Sequence, residues 1–237
     1  HDKVRETILS HLSRAESAAL HAQLASTFEH LSTVDLFAAK KHANDLIAGT
    51  KKIGQGEIPP LDTRHIHEIA YHYLCAGEKQ RALPWALMAA DHALSLGSLG
   101  AARQQLEIAR ECSADADQAT QYFTAQQLGE VLILSADYHE AEKQLRLARL
   151  WAHTSLERAR AEAKLGDCVF HRGEIAEALE FAVTSLRMLG ENMPSNSLAL
   201  GCRILQEATV QSAHTILPSA FLGKAAKEAR ELDMLKV

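Results

Sequence analysis

A pattern of small residues recurs along this chain in one order, and it limits how the segments between its copies can pack. Leu128-Gly129, Ala136, Tyr138, Ala141, Leu145 and Ala148 form one copy; Leu165-Gly166, Gly173, Ile175, Ala178, Ala182 and Ser185 form the next. Leu165 falls 37 residues after Leu128, a period that signals stacked helical hairpins. Small side chains at fixed places let two helices approach closely, and the Gly or Ala between them marks the turn. Such an array is normally a surface for holding something rather than a catalytic cavity.

The same template reaches upstream. From Thr63 onward, Ile69-Ala70, Tyr73, Gly77, Ala82, Ala86 and Ala89 fit it. The 59 residues from Ile69 to Leu128 leave room for one extra helix, expected around Gly97, Leu99, Ala102, Leu106 and Ala109. Asp137 and Thr154 each stand three residues before a Glu, which predicts helix starts. Ile175, Ala178, Leu179, Ala182, Leu186 and Leu189 read as an apolar stripe, with Gly190 ending that helix and Pro194 forbidding its continuation. Two further helices are expected over 197–217 and 220–235, split by Pro218.

Before the repeats, Val4, Ile8 and Leu12 have helical spacing. Ser13 to Glu16 has the capping-box pattern and predicts a helix to Leu31 with Ala19, Leu20, Leu24 and Phe28 inward. A third helix, over 33–48, carries Leu36, Phe37, Ala43, Leu46 and Ile47. Gly54, Gly56 and Pro59-Pro60 then break the periodicity. No strand pattern of useful length occurs. The expectation is an all-α fold, a right-handed superhelix of antiparallel helix hairpins. It has three parts: N-terminal helices over 1–48, a loop over 49–62, and a repeat domain over 63–237.

Composition narrows the function classes. With 237 residues, 47% of them hydrophobic, the chain can bury a core. A net charge of −5 and only 5% aromatics argue against nucleic acid or an anionic membrane surface as partner. The four cysteines lie far apart without a CxxC pair, as expected of reduced thiols in a cytoplasmic protein. No apolar run approaches the ~18 residues of a membrane span. The chain opens at His1 without an initiator Met, and reads as a piece of something longer.

Catalytic signatures are missing. There is no phosphate-binding Gly-x-x-x-x-Gly-Lys-Ser/Thr run, no Gly-x-Ser-x-Gly elbow, and no carboxylate pair distinct from ordinary solvated helix faces. His65, His67 and His72 are the densest histidine cluster. On a helix His65 and His72 share a face, while His67 points roughly 160° away from His65. Two ligands two turns apart do not chelate unaided, so neither metal nor cofactor is expected.

The Leu-Gly, Gly/Ala and Ala set resembles the tetratricopeptide repeat over about residues 63 to 190. The family's early Trp in the first helix and its Pro at the end of the second are not regularly present, so these copies are degenerate. His1-Asp2-Lys3-Val4-Arg5-Glu6, with Leu12-Ser13, Leu20-His21 and Leu24-Ala25, resembles the end of the helical or winged-helix segment that follows the nucleotide-binding module in STAND-class signalling ATPases. In that class a tetratricopeptide array follows, often opened by a stretch similar to Ile69-Ala70-Tyr71-His72-Tyr73-Leu74 with Gly77, Ala82 and Leu83. Similar arms occur in large transcriptional activators, multidomain kinases and adenylyl cyclases.

The resemblance implies a non-catalytic protein-interaction or sensor arm of a larger signalling ATPase. Its ligand would lie on the concave face lined by the first helix of each hairpin. That mapping yields three rows: His67, Tyr71 and Leu74; Phe123, Gln126, Glu130 and Ile133; and Arg160, Ala163, Asp167 and Phe170. Packing between neighbouring helices is the competing assignment for Tyr71, Ile133 and Phe170. The expected partner is a protein or peptide, including the parent's own ATPase or output domain. The family's basic clamp for acidic peptide tails is disfavoured, because its places hold Glu68, Gln127 and Lys164. The alternative is a helical-repeat domain that senses a small-molecule inducer in a transcriptional activator.

Overall fold

Helix starts in this chain are set by side chains that accept the first free N–H groups. The computed structural model describes residues 12–55, 65–191, 201, 204 and 205. Ser13 and Glu16 form a reciprocal capping box that opens α1 (Arg14–Leu31). Asp35 caps α2 (Leu36–Ile47) by accepting the Ala38 N–H at 2.8 Å, so this helix starts later than periodicity suggests. Then come α3 (Ile66–Cys75), α4 (Lys79–Ser95) and α5 (Leu99–Cys112). A 3-10 turn (Ser113–Asp115) leads to α6 (Gln118–Leu134), capped by Asp117, and to α7 (Tyr138–Trp151). A second capping box, Thr154 with Glu157, opens α8 (Ser155–His171), and α9 (Ile175–Met188) follows. No strand occurs among the described residues.

The tight turns close alike. The Gly77 N–H bonds the Leu74 carbonyl and the Glu78 N–H bonds the Tyr73 carbonyl. The same two bonds recur at Gly97 with Ser98, Ala136 with Asp137, and Gly173 with Glu174, and they end α9 at Gly190 with Glu191. This motif satisfies the last helix carbonyls and requires a left-handed residue at its centre. Gly77, Gly97 and Gly173 provide φ of 80°, 70° and 88°, whereas Ala136 adopts 59° despite its side chain.

Aligned on these turns, the buried positions coincide. Eight and seven residues before the turn residue stand Ile69-Ala70, Ala89-Ala90, Leu128-Gly129 and Leu165-Gly166; five after it stand Ala82, Ala102, Ala141 and Ala178. All are buried. Ala89 belongs to two sets, because α4 closes one hairpin with α3 and opens the next with α5. This double use accounts for the extra helix in the spacing.

The chain divides into two compact units, residues 1–151 and 152–237. In the first, α3 packs on α4, α4 on α5, α5 on α6 and α6 on α7, while α1 lies against α3 and α2 against α4. A buried hydroxyl pair, Ser113 and Thr124 at 2.8 Å, ties the 3-10 turn to α6. In the second unit α8 and α9 form a hairpin around Gly173.

Several inward assignments differ from the periodicity. In α1 only Ala25 is buried; Ala19 and Leu20 are exposed, because the contact with α3 is made by Phe28, as expected, together with His21 and Glu29. In α2 the buried face is Ala39, Ala43 and Leu46, leaving Phe37 76% exposed. The α9 stripe is covered only at Ala178, together with Ser185; Ile175, Leu179 and Ala182 are exposed. The expected helix near Val4 and Ile8, Pro59-Pro60, and the helices over 197–217 and 220–235 lie outside the described residues, apart from residues 201, 204 and 205.

Candidate functional site

Turn alignment also places the three expected rows at equivalent points, ten, six and three residues before each turn residue. On α3 these are His67, Tyr71 and Leu74, on α6 Gln126, Glu130 and Ile133, and on α8 Ala163, Asp167 and Phe170. Phe123 and Arg160 extend the last two rows by one turn. Because the motif fixes where each helix ends, it fixes the face on which these side chains lie.

The α3 row is aromatic and partly open. Tyr71 is 47% exposed and sits edge-on to His21 of α1, with ring centres 6.0 Å apart. His67 is half-buried with its ring 6.3 Å from His92 of α4. Burial holds the His67 imidazole below its ordinary value; Glu68 pulls it up by less, and the charge of His92 adds a still smaller downward push. Leu74 is half-buried.

Next to this row, where α1 meets α3, His65 and His72 stack on Phe28, with ring centres at 5.0 and 5.7 Å. The His72 Nδ1 lies 2.7 Å from the His21 Nδ1, so one ring donates and the other accepts. This pairing belongs to the α1–α3 contact, which Tyr71 of the row also reaches through His21. Among the described residues no three His, Cys, Asp or Glu side chains are grouped so as to hold a metal ion. Beside it, Glu29 accepts from the Tyr73 hydroxyl and from Arg81 Nη2 at 2.9 Å. The Arg81 guanidinium also lies 4.1 Å from the Tyr73 ring centre.

The α6 row is more polar. Gln126 is buried and donates from Nε2 to Glu130 Oε1 at 3.1 Å, while its own Oε1 is buried without a hydrogen-bond partner. Phe123, Glu130 and Ile133 are half-buried. In the second unit Arg160 is half-buried with an unpartnered Nε, Asp167 pairs with Lys164 at 3.4 Å, and Phe170 is 57% exposed.

The equivalent row on α4 is Leu87, Asp91 and Leu94, and sequence reasoning missed it. Asp91 is only 1% exposed, although its counterparts Tyr71, Glu130 and Asp167 all reach solvent. His42 Nε2 of α2 lies 2.9 Å from Asp91 Oδ2, and the Gly54 N–H donates to Oδ1 at 2.5 Å. Gly54 has φ +74°, and a Cβ there would stand 3.0 Å from the Leu94 Cβ. Thus α2 and the following turn cover the face of α4 that carries this row. The available signal was a lone carboxylate inside Leu87-Met88-Ala89-Ala90-Asp91, six residues before a turn Gly.

Away from these rows, a depression of about 640 Å³ is lined by Lys79, Arg103, Glu107, Arg110 and Asp137 among others. Arg103 pairs there with Glu107 at 2.9 Å and Asp137 at 3.1 Å, so its charge is already matched. Cys112 is buried, which pushes its thiol up to about 12 and leaves it unsuited to nucleophilic work. No helix among the described residues is long and apolar enough to cross a membrane.

Comparison with family models, with curated proteins and with solved structures finds no match to this chain.

Proposed function

We propose that this chain is a non-catalytic interaction arm, a tetratricopeptide-like solenoid whose inner helix faces hold a protein or peptide. The observation that carries the reading is the helix α2 seated on the inner face of α4. A face that accepts a helix through small apolar side chains and one ion pair has the chemistry of helix-in-groove recognition. The row on α3 offers exposed or half-buried aromatic and aliphatic side chains, and the row on α6 adds the carboxylate of Glu130.

By its resemblance, such an arm belongs to a larger cytoplasmic signalling ATPase, and the bound segment comes from a regulatory partner or from the parent's own ATPase or output domain. Hairpins joined by nearest-neighbour contacts respond to a ligand that spans them by favouring one curvature, which is how binding would bias an attached domain. The arm itself would carry out no chemistry.

Site-specific photo-crosslinking tests this. A photoreactive residue at Tyr71 or Ile133 is expected to capture a protein or peptide in cells, whereas the same group at Leu150, which is 71% exposed and outside the rows, captures none. Equal labelling at all three positions would remove the reading. A metabolite that raises the melting temperature without any crosslinked protein would favour an inducer-sensing domain instead.

A further inference from the structure

We infer that α2, with the turn running to Gln55, is a detachable occupant of the α4 inner face, displaced by a partner helix that carries a permanent cation. The inference rests on reading the inner faces as the binding surface.

Four observations support it. First, α2 is held by one narrow stripe: Ala39, Ala43 and Leu46 are its buried side chains, at spacing i, i+4, i+7. Its neighbours are α4 and, to a lesser degree, α6, and it makes no comparable contact with α1, the helix before it. Second, Phe37 of this helix is 76% exposed, and Leu36 and Ile47 are only half-buried. Third, the polar tethers described between this segment and α4 both end on one residue, Asp91, which meets the His42 imidazole and the Gly54 N–H. Fourth, the covered face is equivalent by turn alignment to faces on α3 and α6 that remain partly open.

The chemistry of the displacing helix follows from what α2 presents. It needs small residues at i and i+4, a larger aliphatic at i+7, and a cation at i+3 where His42 stands. Asp91 is nearly buried, and a buried carboxylate is best matched by a partner that stays charged. An imidazole is charged only when protonated, whereas Lys or Arg holds its charge throughout the neutral range. A Lys-bearing helix therefore has an advantage over α2 on the same face.

The test uses the whole chain and a labelled synthetic peptide copying residues 34–55, with His42→Lys. In the unmodified chain, hydrogen exchange is expected to be at least about tenfold faster in α2 than in α4, since local opening separates the two. Ala43→Glu places a charge on the buried stripe and frees the face. The peptide should then bind that variant at least about tenfold more tightly than the unmodified chain, where α2 competes. Adding Asp91→Asn to Ala43→Glu should abolish the preference for the Lys peptide over its His form.

Exchange of α2 in step with α4 would overturn the inference, as would loss of cooperative unfolding in Ala43→Glu, because α2 would then be part of the core. Failure of the peptide to bind Ala43→Glu would also overturn it. These readouts need no external partner. Silent crosslinking at Tyr71 and Ile133 would therefore sink the proposed function while leaving this result legible.

Discussion

Gly129 of α6 and Leu145 of α7 meet so closely that a methyl group on the glycine would stand 2.7 Å from the Leu145 Cγ. Leu145 is fully buried and has no open side to retreat to. At the equivalent place in α8, a Cβ on Gly166 would meet the Phe181 Cβ at 3.1 Å and the Ala178 carbonyl at 3.4 Å. The two glycines thus differ in tolerance although they hold the same position in the pattern.

Gly129→Ala is expected to lose about 1–2 kcal/mol, because overpacking outweighs the gain of roughly 1 kcal/mol in helix propensity. Gly166→Ala should be close to neutral, while Gly166→Leu should lose about 1–3 kcal/mol by wedging its hairpin apart. Urea denaturation of the three variants gives the order directly. A neutral Gly129→Ala would mean that α6 and α7 do not approach so closely in solution.

What could be read from the sequence was the spacing of close approaches. Small residues at fixed distances from each turn record where backbones nearly touch, and those contacts are local in the chain. Leu128-Gly129 and Leu165-Gly166 are therefore legible, as are the Ser13–Glu16 and Thr154–Glu157 capping boxes. Periodicity identifies an apolar face but not what covers it. Leu20 and Phe37 satisfied the helical pattern and still face solvent, while Ala39 and Ala43 form the α2 stripe. The His42–Asp91 pair joins residues 49 apart, and no local signal couples them. For the same reason the turn spacing gives the positions of Tyr71 and Glu130 on their helices, but not that a distant helix covers Asp91 at the equivalent point of α4.

Ala136 is the central residue of the α6–α7 turn, with φ 59°, where its counterparts are glycines. A side chain in the left-handed region costs about 1–2 kcal/mol. Part of that gain is offset by the greater freedom of glycine in the unfolded chain. Ala136→Gly should therefore stabilise the protein by about 0.5–1 kcal/mol, read as a higher denaturation midpoint with unchanged m-value. Destabilisation would contradict the turn geometry.

His42 and Asp91 should be strongly coupled. Removing the imidazole leaves a carboxylate with 1% exposure and, among the described residues, the Gly54 N–H as its remaining partner. Breaking one side of such a pair costs about 3–5 kcal/mol when the rest of the structure holds still. Here α2 can lift away and admit water, so the loss from His42→Ala should be smaller, about 1–3 kcal/mol. A double-mutant cycle with Asp91→Asn should return a coupling of about 1–2 kcal/mol. Strict additivity would show that the two side chains do not interact in solution.

Acidification should weaken the α1–α3 contact. Burial, and then the neighbouring His21, hold the His72 imidazole below its ordinary value, against a smaller upward pull from Glu68. His67 is shifted the same way by its own burial. A depressed histidine binds fewer protons in the folded chain than in the unfolded one, so stability rises with pH across the interval between the two values. Above the ordinary value of about 6.5 the effect vanishes; as pH falls below it, stability is lost until the folded-state imidazole is also protonated. The midpoint for urea unfolding is therefore expected to drop between pH 7.5 and 5.5. His72→Gln should flatten that dependence, because its side chain cannot acquire a proton against His21. A profile identical to that of the unmodified chain would show that the His21–His72 pair does not titrate with unfolding.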